Sequence, residues 1–187
     1  HPLLERLVLS QGNAYVASDV ELSNRSSFLL YGVNSVGKSS LLKAIAVNIL
    51  MAQAGLYVAS DAFVYGPFRK MFTRTGNDDN MFRHHSSFVK EMTEAKAIIR
   101  HSDRYSLIIA DELCASTEID SATGIVASLL YHCAVRRQAA FIFATHLFTL
   151  QEHPLVQQLL YERKSLHNIH LRVRFEPKHD GTDGLIF

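Results

Sequence analysis

Apolar positions along the chain fall into short uninterrupted runs alternating with longer stretches of helical spacing. Ser27-Phe28-Leu29-Leu30-Tyr31 is a compact apolar run closed by Gly32, and the stretch from Lys38 to Gln53 carries apolar residues at Leu41, Leu42, Ile45, Ile49 and Leu50. This pattern predicts a buried strand, a glycine-bounded loop and a helix. A second buried strand is predicted at Tyr105-Ser106-Leu107-Ile108-Ile109-Ala110, a helical stretch from Ile125 to Arg136, and a third strand at Ala139-Ala140-Phe141-Ile142-Phe143-Ala144. Strands alternating with helices imply an α/β fold with a largely parallel central sheet flanked by helices on both faces. Between them, Gly66 to Asn80 is polar and turn-rich in its later part, with Gly76-Asn77-Asp78-Asp79-Asn80 the clearest loop signal. Ser86 or Ser87 can then cap a helix from Phe88 to Arg100 with Val89, Met92, Ala95 and Ile99 on one face. Near the end, Asp183-Gly184-Leu185-Ile186 reads as a turn entering a strand.

Composition narrows the class. With 187 residues, 48% of them apolar and 20% charged, the chain has the makings of one globular domain spanning residues 1–187. No apolar run approaches the roughly 20 residues that span a bilayer, and His1-Pro2-Leu3-Leu4-Glu5 lacks the features of a signal peptide, so no membrane partner is expected. The expected location is intracellular, with bacterial cytoplasm, nucleus and organelle all open. The first residue is not methionine and the chain stops at Phe187 directly after a strand signal, which reads as a piece of a longer protein. A net charge of +1 gives no basic footprint, so phosphate contacts to any DNA partner would come mostly from elsewhere. The two cysteines, Cys114 and Cys133, are not in a Cys-x-x-Cys pair and are expected to be small apolar packers.

Two segments point to phosphate chemistry. Gly32-Val33-Asn34-Ser35-Val36-Gly37-Lys38-Ser39 fits the Walker A pattern G-x-x-x-x-G-K-[ST], placed between a strand and the first turn of a helix. There the backbone can curl its N–H groups around phosphate oxygens, Lys38 can neutralise the β- and γ-phosphates of ATP, and the Ser39 hydroxyl can coordinate Mg2+. A glycine-rich turn with an exposed lysine is the plain alternative, and the strand and helix flanks weigh against it. Leu107-Ile108-Ile109-Ala110-Asp111-Glu112 has the Walker B form, an apolar strand delivering two carboxylates at its carboxyl end. Asp111 would hold the metal, directly or through water, and Glu112 would act as general base on the attacking water. His146 follows the third strand in Phe143-Ala144-Thr145-His146, where an imidazole can reach the γ-phosphate or the water. His84-His85 and His167-x-x-His170 lack metal-ligand partners at useful spacing and read as solvated loop residues.

The order of motifs resembles the ATPase domain of the MutS family of DNA mismatch-recognition proteins, P-loop NTPases of the ABC-ATPase class. His1-Pro2 with Glu5 resembles the segment that opens that domain, and Asn34 with Gly37-Lys38-Ser39, followed by Ser40, resembles its G-P-N-M-x-G-K-S-T core. Gly66-Pro67, Phe72-Thr73-Arg74-x-Gly76 and Ser86-Ser87-Phe88-x-x-Glu91-Met92 match the family's G-P, F-T-R-x-G and S-T-F-x-x-E-M blocks in order, and Asp111-Glu112 and Ala144-Thr145-His146 close the series. The resemblance implies that Gly32, Asn34, Gly37, Lys38, Ser39 and Ser40 hold the nucleotide and that Tyr15 stacks on adenine. It also implies a head-to-tail homodimer in which Ser86 reaches the γ-phosphate bound by the other subunit, and mismatched or otherwise distorted DNA held by regions outside this chain.

The chain departs from that family at two places. Arg83-His84-His85 stands where glycine usually precedes S-T-F, and Leu113-Cys114-Ala115-Ser116-Thr117-Glu118 stands where a glycine-rich G-R-G-T-S segment usually follows the carboxylates. Three functions fit these features: an ATPase coupling nucleotide state to DNA clamping, a MutS paralogue acting on branched or recombining DNA, and a nucleotide-dependent clamp with little hydrolysis. An ABC transporter ATPase would carry an L-S-G-G-Q-like signature before the Asp111-Glu112 strand, which this chain lacks.

Overall fold

The computed structural model describes residues 9–11, 17–21, 27–33, 36–74, 87–114, 117–171, 174–177 and 183–186. The described elements run β1 (Ser27–Tyr31), α1 (Lys38–Gln53), β2 (Lys70–Arg74), α2 (Ser87–His101), β3 (Ser106–Asp111), α3 (Ile119–Tyr131), β4 (Ala140–Thr145), α4 (Pro154–Gln157), β5 (Leu166–His170), β6 (Arg174–Pro177) and β7 (Asp183–Ile186). A π-helical turn, His132–Arg137, continues α3, a 3-10 turn, Phe148–Gln151, precedes α4, and a second π-helical turn, Gln158–Glu162, follows it. Strands β1 to β5 form one sheet in the order β2-β3-β4-β1-β5 with every pairing parallel. Strands β6 and β7 pair antiparallel as a separate hairpin.

Alternation along the inner strands divides the core into two layers. Phe28, Leu30, Leu107, Ile109, Ile142 and Ala144 face α1, which answers with Leu42, Ala46 and Ile49 at i, i+4 and i+7. Leu29, Tyr31, Ile108, Ala110, Phe141 and Phe143 face the opposite side, against Ala95 and Ile98 of α2 and Ala122, Val126, Leu129 and Leu130 of α3. Burial on both faces explains why β1, β3 and β4 read as continuous apolar runs rather than alternating ones. The expected α/β architecture is therefore present as a five-stranded parallel sheet flanked by helices. No helix among the described residues is long and apolar enough to cross a membrane.

Several expectations shift. The strands expected at 105–110 and 139–144 each sit one residue later, because Asp111 and Thr145 still hold ladder register with Ala144 and Tyr31, while Tyr105 lies outside the strand and is exposed. The helix expected from Ile125 starts at Ile119, where the Glu118 carboxylate accepts the Ser121 N–H at 3.3 Å and acts as a cap. The face of α2 is rotated from the expected one. Glu91, Ala95 and Ile98 point inward, Met92 and Ile99 are partly covered, and Val89 is half exposed. Strand β2 lies within the stretch read as loop, and β5 contains His167 and His170. These two histidines are strand residues whose rings lie against Phe28 and Tyr31, at centroid distances of 5.6 and 5.4 Å, and not loop residues. Their i, i+3 spacing on a strand turns the two side chains to opposite faces.

Three ionisable groups of the core share one response to pH. Burial pushes the Tyr31 phenol and the Cys133 thiol up to about 12. Burial and then the Glu91 charge push the Cys114 thiol up to about 11. Both cysteines are free and buried, as expected. Because folding favours the neutral form of each group, the unfolded chain gives up these protons first as pH rises. Their contribution is intact below the ordinary thiol value of 9.0 and declines above it toward about 12. The urea midpoint is therefore expected to fall between about pH 8 and about pH 10, and neither thiol should react with iodoacetamide at about pH 8 until urea unfolds the chain. Rapid alkylation of the folded protein would contradict this burial.

Candidate functional site

The register of the sheet levels the carboxyl ends of its inner strands. Tyr31 pairs with Thr145, Asp111 with Ala144, and Arg74 with Ala110. Residues that follow each strand therefore emerge side by side at one edge of the sheet. From β1 the chain passes through Gly32 and Val33, returns through Val36 and Gly37, and enters α1 at Lys38. Gly37 caps the helix with φ +97, a left-handed conformation costly for other residues. Gly32 is needed for space, since a Cβ there would lie 2.7 Å from Cγ1 of buried Val36. The first helical bond runs from the Leu41 N–H to the Gly37 carbonyl at 2.9 Å, leaving the amides of Lys38, Ser39 and Ser40 ahead of it at the positive end of the helix dipole. The first turn carries no acidic side chain.

Lys38 is only 4% exposed, and its ammonium donates to the carbonyls of Gly32 at 2.6 Å and Val33 at 3.1 Å. The same Nζ lies 3.5 Å from Oε1 of Glu112. The Ser39 hydroxyl donates to Oδ2 of Asp111, joining the start of α1 to the end of β3. Asp111 is buried, and its second oxygen, Oδ1, has no hydrogen-bond partner among the described residues. A buried carboxylate oxygen left without a partner is costly, and either a hydrogen-bond donor or a cation would satisfy it. Glu112 follows with φ +48, its N–H donating to the Ala144 carbonyl at 2.9 Å, which turns the side chain out of the sheet toward Lys38 and His146. Nδ1 of His146 stands 3.9 Å from Glu112 Oε1. The turn that carries His146 is fixed by the Thr145 hydroxyl, which accepts the Leu147 N–H at 3.0 Å, and by the Phe148 N–H on the His146 carbonyl at 3.0 Å.

The structure thus brings together Gly32, Gly37, Lys38, Ser39, Ser40, Asp111, Glu112 and His146. The expectations placed on Tyr15, Asn34 and Ser86 lie outside the described residues, as do Arg83-His84-His85, Ala115 and Ser116. Beside the site are two charged residues to which the motifs gave no role. Arg74, at the end of β2, pairs with Glu91 and Glu94 of α2 at 2.8 Å each. Glu91 is buried and also accepts the Cys114 N–H at 2.8 Å. The signal available in the sequence was a carboxylate on the apolar stripe of α2, one helical turn before Ala95. Arranged this way, the sheet edge can bind an anionic group at the head of α1 while setting two carboxylates and an imidazole against it.

Fold and site together define an α/β domain with a polar cluster at the carboxyl ends of a parallel sheet. Residues 28–181 match the family model for MutS domain V. The chain is 35% identical over 178 residues to the mitochondrial DNA mismatch repair protein mutS homolog of Sarcophyton glaucum, covering 88% of this chain and 18% of that protein. It is 36% identical over 166 residues to DNA mismatch repair protein MutS of Myxococcus xanthus, covering 85% and 18%. Against DNA mismatch repair protein MSH6 of Saccharomyces cerevisiae it is 30% identical over 181 residues, covering 91% and 15%. The chain belongs to the MutS family, and it spans between 14% and 18% of the length of these and similar relatives.

The contact between Gly32 and Val36 is testable without a ligand. Gly32→Ala is expected to destabilise the domain by about 1–3 kcal/mol through overpacking, and Val36→Ala in the same chain should recover part of that loss. Urea unfolding of the two single variants and the double variant measures the coupling. Strictly additive effects would show that the methyl is accommodated elsewhere.

Proposed function

We propose that this chain is the Mg2+-dependent ATPase domain, of the P-loop ABC-ATPase class, of a MutS-like mismatch-recognition protein. The observation that most supports it is the junction of Ser39 and Asp111, with the Asp111 Oδ1 buried and without a partner among the described residues, beside the ion pair of the neighbouring residues Lys38 and Glu112. Oxygen donors from a hydroxyl and a carboxylate suit a hard divalent cation. Ser39 and Asp111 would hold Mg2+, which when bound neutralises charge on the phosphate oxygens.

In this reading Gly32, Asn34, Gly37, Ser39 and Ser40 present backbone or hydroxyl groups to the phosphates, and Lys38 supplies the fixed positive charge. Glu112 takes a proton from the water that attacks the γ-phosphorus, and ADP departs as the bond to its β-phosphate oxygen breaks. His146, beside the Glu112 carboxylate, senses that water or the released phosphate. Tyr15 stacks on adenine and Ser86 completes the site of a second copy in a homodimer. Distorted DNA is bound by regions outside this chain, whose clamping follows the nucleotide state.

Lys38→Ala should abolish Mg2+-ATP binding. Glu112→Gln should keep binding and lower turnover by about 10²-fold or more. If Ser86 acts on a neighbour's nucleotide, specific activity should rise with protein concentration and drop on Ser86→Ala. A concentration-independent rate indifferent to Ser86 would mean a self-contained ATPase. Tight binding without turnover in the unmodified protein would favour the clamp with little hydrolysis.

A further inference from the structure

Glu91 is 3% exposed, in the middle of an apolar helix face, and the chemistry above makes no use of it. Its Oε1 accepts from the Arg74 guanidinium at 2.8 Å and its Oε2 accepts from the backbone N–H of Cys114 at 2.8 Å. Arg74 in turn donates to Glu94 at 2.8 Å and turns its other terminal nitrogen to the Glu112 carbonyl, 3.5 Å away. These contacts converge on the turn leaving β3, where Glu112 and Cys114 both adopt positive φ, +48 and +62. Such backbone conformations persist in non-glycine residues only when their surroundings over-determine them. Here three groups do so: the Ala144 carbonyl on the Glu112 N–H, Arg74 on the Glu112 carbonyl, and Glu91 on the Cys114 N–H.

We propose that Arg74 and Glu91 form a buried strut that fixes the left-handed turn after β3 and so sets where the Glu112 carboxylate stands between Lys38 and His146. They are positioning residues. Neither is placed to touch substrate, and a buried ion pair is by itself a weak contributor to stability, since desolvation offsets much of the attraction. What the pair supplies is geometry at a turn whose next side chain is the reacting carboxylate, and misplacement of such a group lowers rate more than binding. This inference rests on the reading of Glu112 as the base.

The test uses the intact protein with Glu91→Gln, which keeps an acceptor for the Cys114 N–H and removes the charge, and Arg74→Lys, which keeps the charge and removes the fork. Each is assayed at a temperature where circular dichroism shows it folded. Either variant should lower kcat by about tenfold or more while the Kd for Mg2+-ATP moves less than about threefold. The decisive comparison is with Glu112→Gln. If the strut acts through that carboxylate, the double variant Glu91→Gln/Glu112→Gln is no slower than Glu112→Gln alone. Multiplicative losses, or a kcat unchanged in both single variants, would overturn the strut. A Glu112→Gln protein that turns over at the unmodified rate would instead remove the reading beneath it, while slow Glu112→Gln beside full-speed Glu91→Gln and Arg74→Lys would remove the strut alone.

Discussion

The parallel register of β3, β4 and β1 is the constraint from which the site follows. In a parallel sheet every strand delivers its next residues to the same edge, so levelling Tyr31, Asp111 and Thr145 necessarily gathers the loop before α1, the two carboxylates and His146. The hydrogen bond from the Glu112 N–H to the Ala144 carbonyl extends that register one residue past the last ladder position. It keeps the first turn residue attached to β4 while φ +48 throws its side chain sideways. A slip by one residue would exchange the faces of Leu107 and Ile108 and turn Asp111 away from Ser39 at the same time. Core and site are therefore specified together, since the alternation that fills the two apolar layers also decides which residues meet at the edge.

Charge is buried at this edge, and how it is compensated differs from group to group. Lys38 is covered almost completely yet keeps two carbonyls and a carboxylate around its ammonium, so its charge is not stranded. Asp111 has one satisfied oxygen and one without a partner among the described residues. Arg74 donates to Glu91 and Glu94, and Arg74 and Glu91 each also reach the backbone of one turn, at the Glu112 carbonyl and the Cys114 N–H. The asymmetry accords with the proposed function, since the carboxylate oxygen without a partner among the described residues belongs to Asp111, the residue proposed to hold Mg2+.

How much of this could be read beforehand varies with the physics behind each feature. The bounds of strand β1 and helix α1 are legible because glycine closes one and apolar residues at helical spacing mark the other, although the buried stripe of α1 includes Ala46 and leaves Leu50 exposed. That Lys38, Ser39, Asp111, Glu112 and His146 meet at one edge of the sheet was legible, since each directly follows or precedes an apolar run. The edge strands β2 and β5 were not. Among the described residues Lys70-Met71-Phe72-Thr73-Arg74 and Leu166-His167-Asn168-Ile169-His170 each pair on one side only, and their polar residues give no apolar run to recognise. The inward face of α2 was misplaced for a related reason: a pattern search counts Val89 as core and Glu91 as surface, whereas a buried ion pair puts the carboxylate inside. Tertiary charge pairing is not encoded in periodicity.

The segment after Glu112 is one of the two places where the chain departs from the motif order it otherwise resembles, and its backbone there has a definite physical shape. Glycine enters the left-handed region freely, whereas another residue there costs about 1–2 kcal/mol. Cys114 takes φ +62 without being glycine, so something must offset that cost. Its thiol is packed in the core layer, and its N–H is held by a charged carboxylate, a class of hydrogen bond worth about 1.5–3 kcal/mol. That one bond is of the size required. The turn is consequently held by its neighbours, through Glu91 on the Cys114 N–H and Arg74 on Glu91. The described part of this turn is tied to β2 and α2 through Arg74 and Glu91, which is the connection by which the proposed strut would place the Glu112 carboxylate.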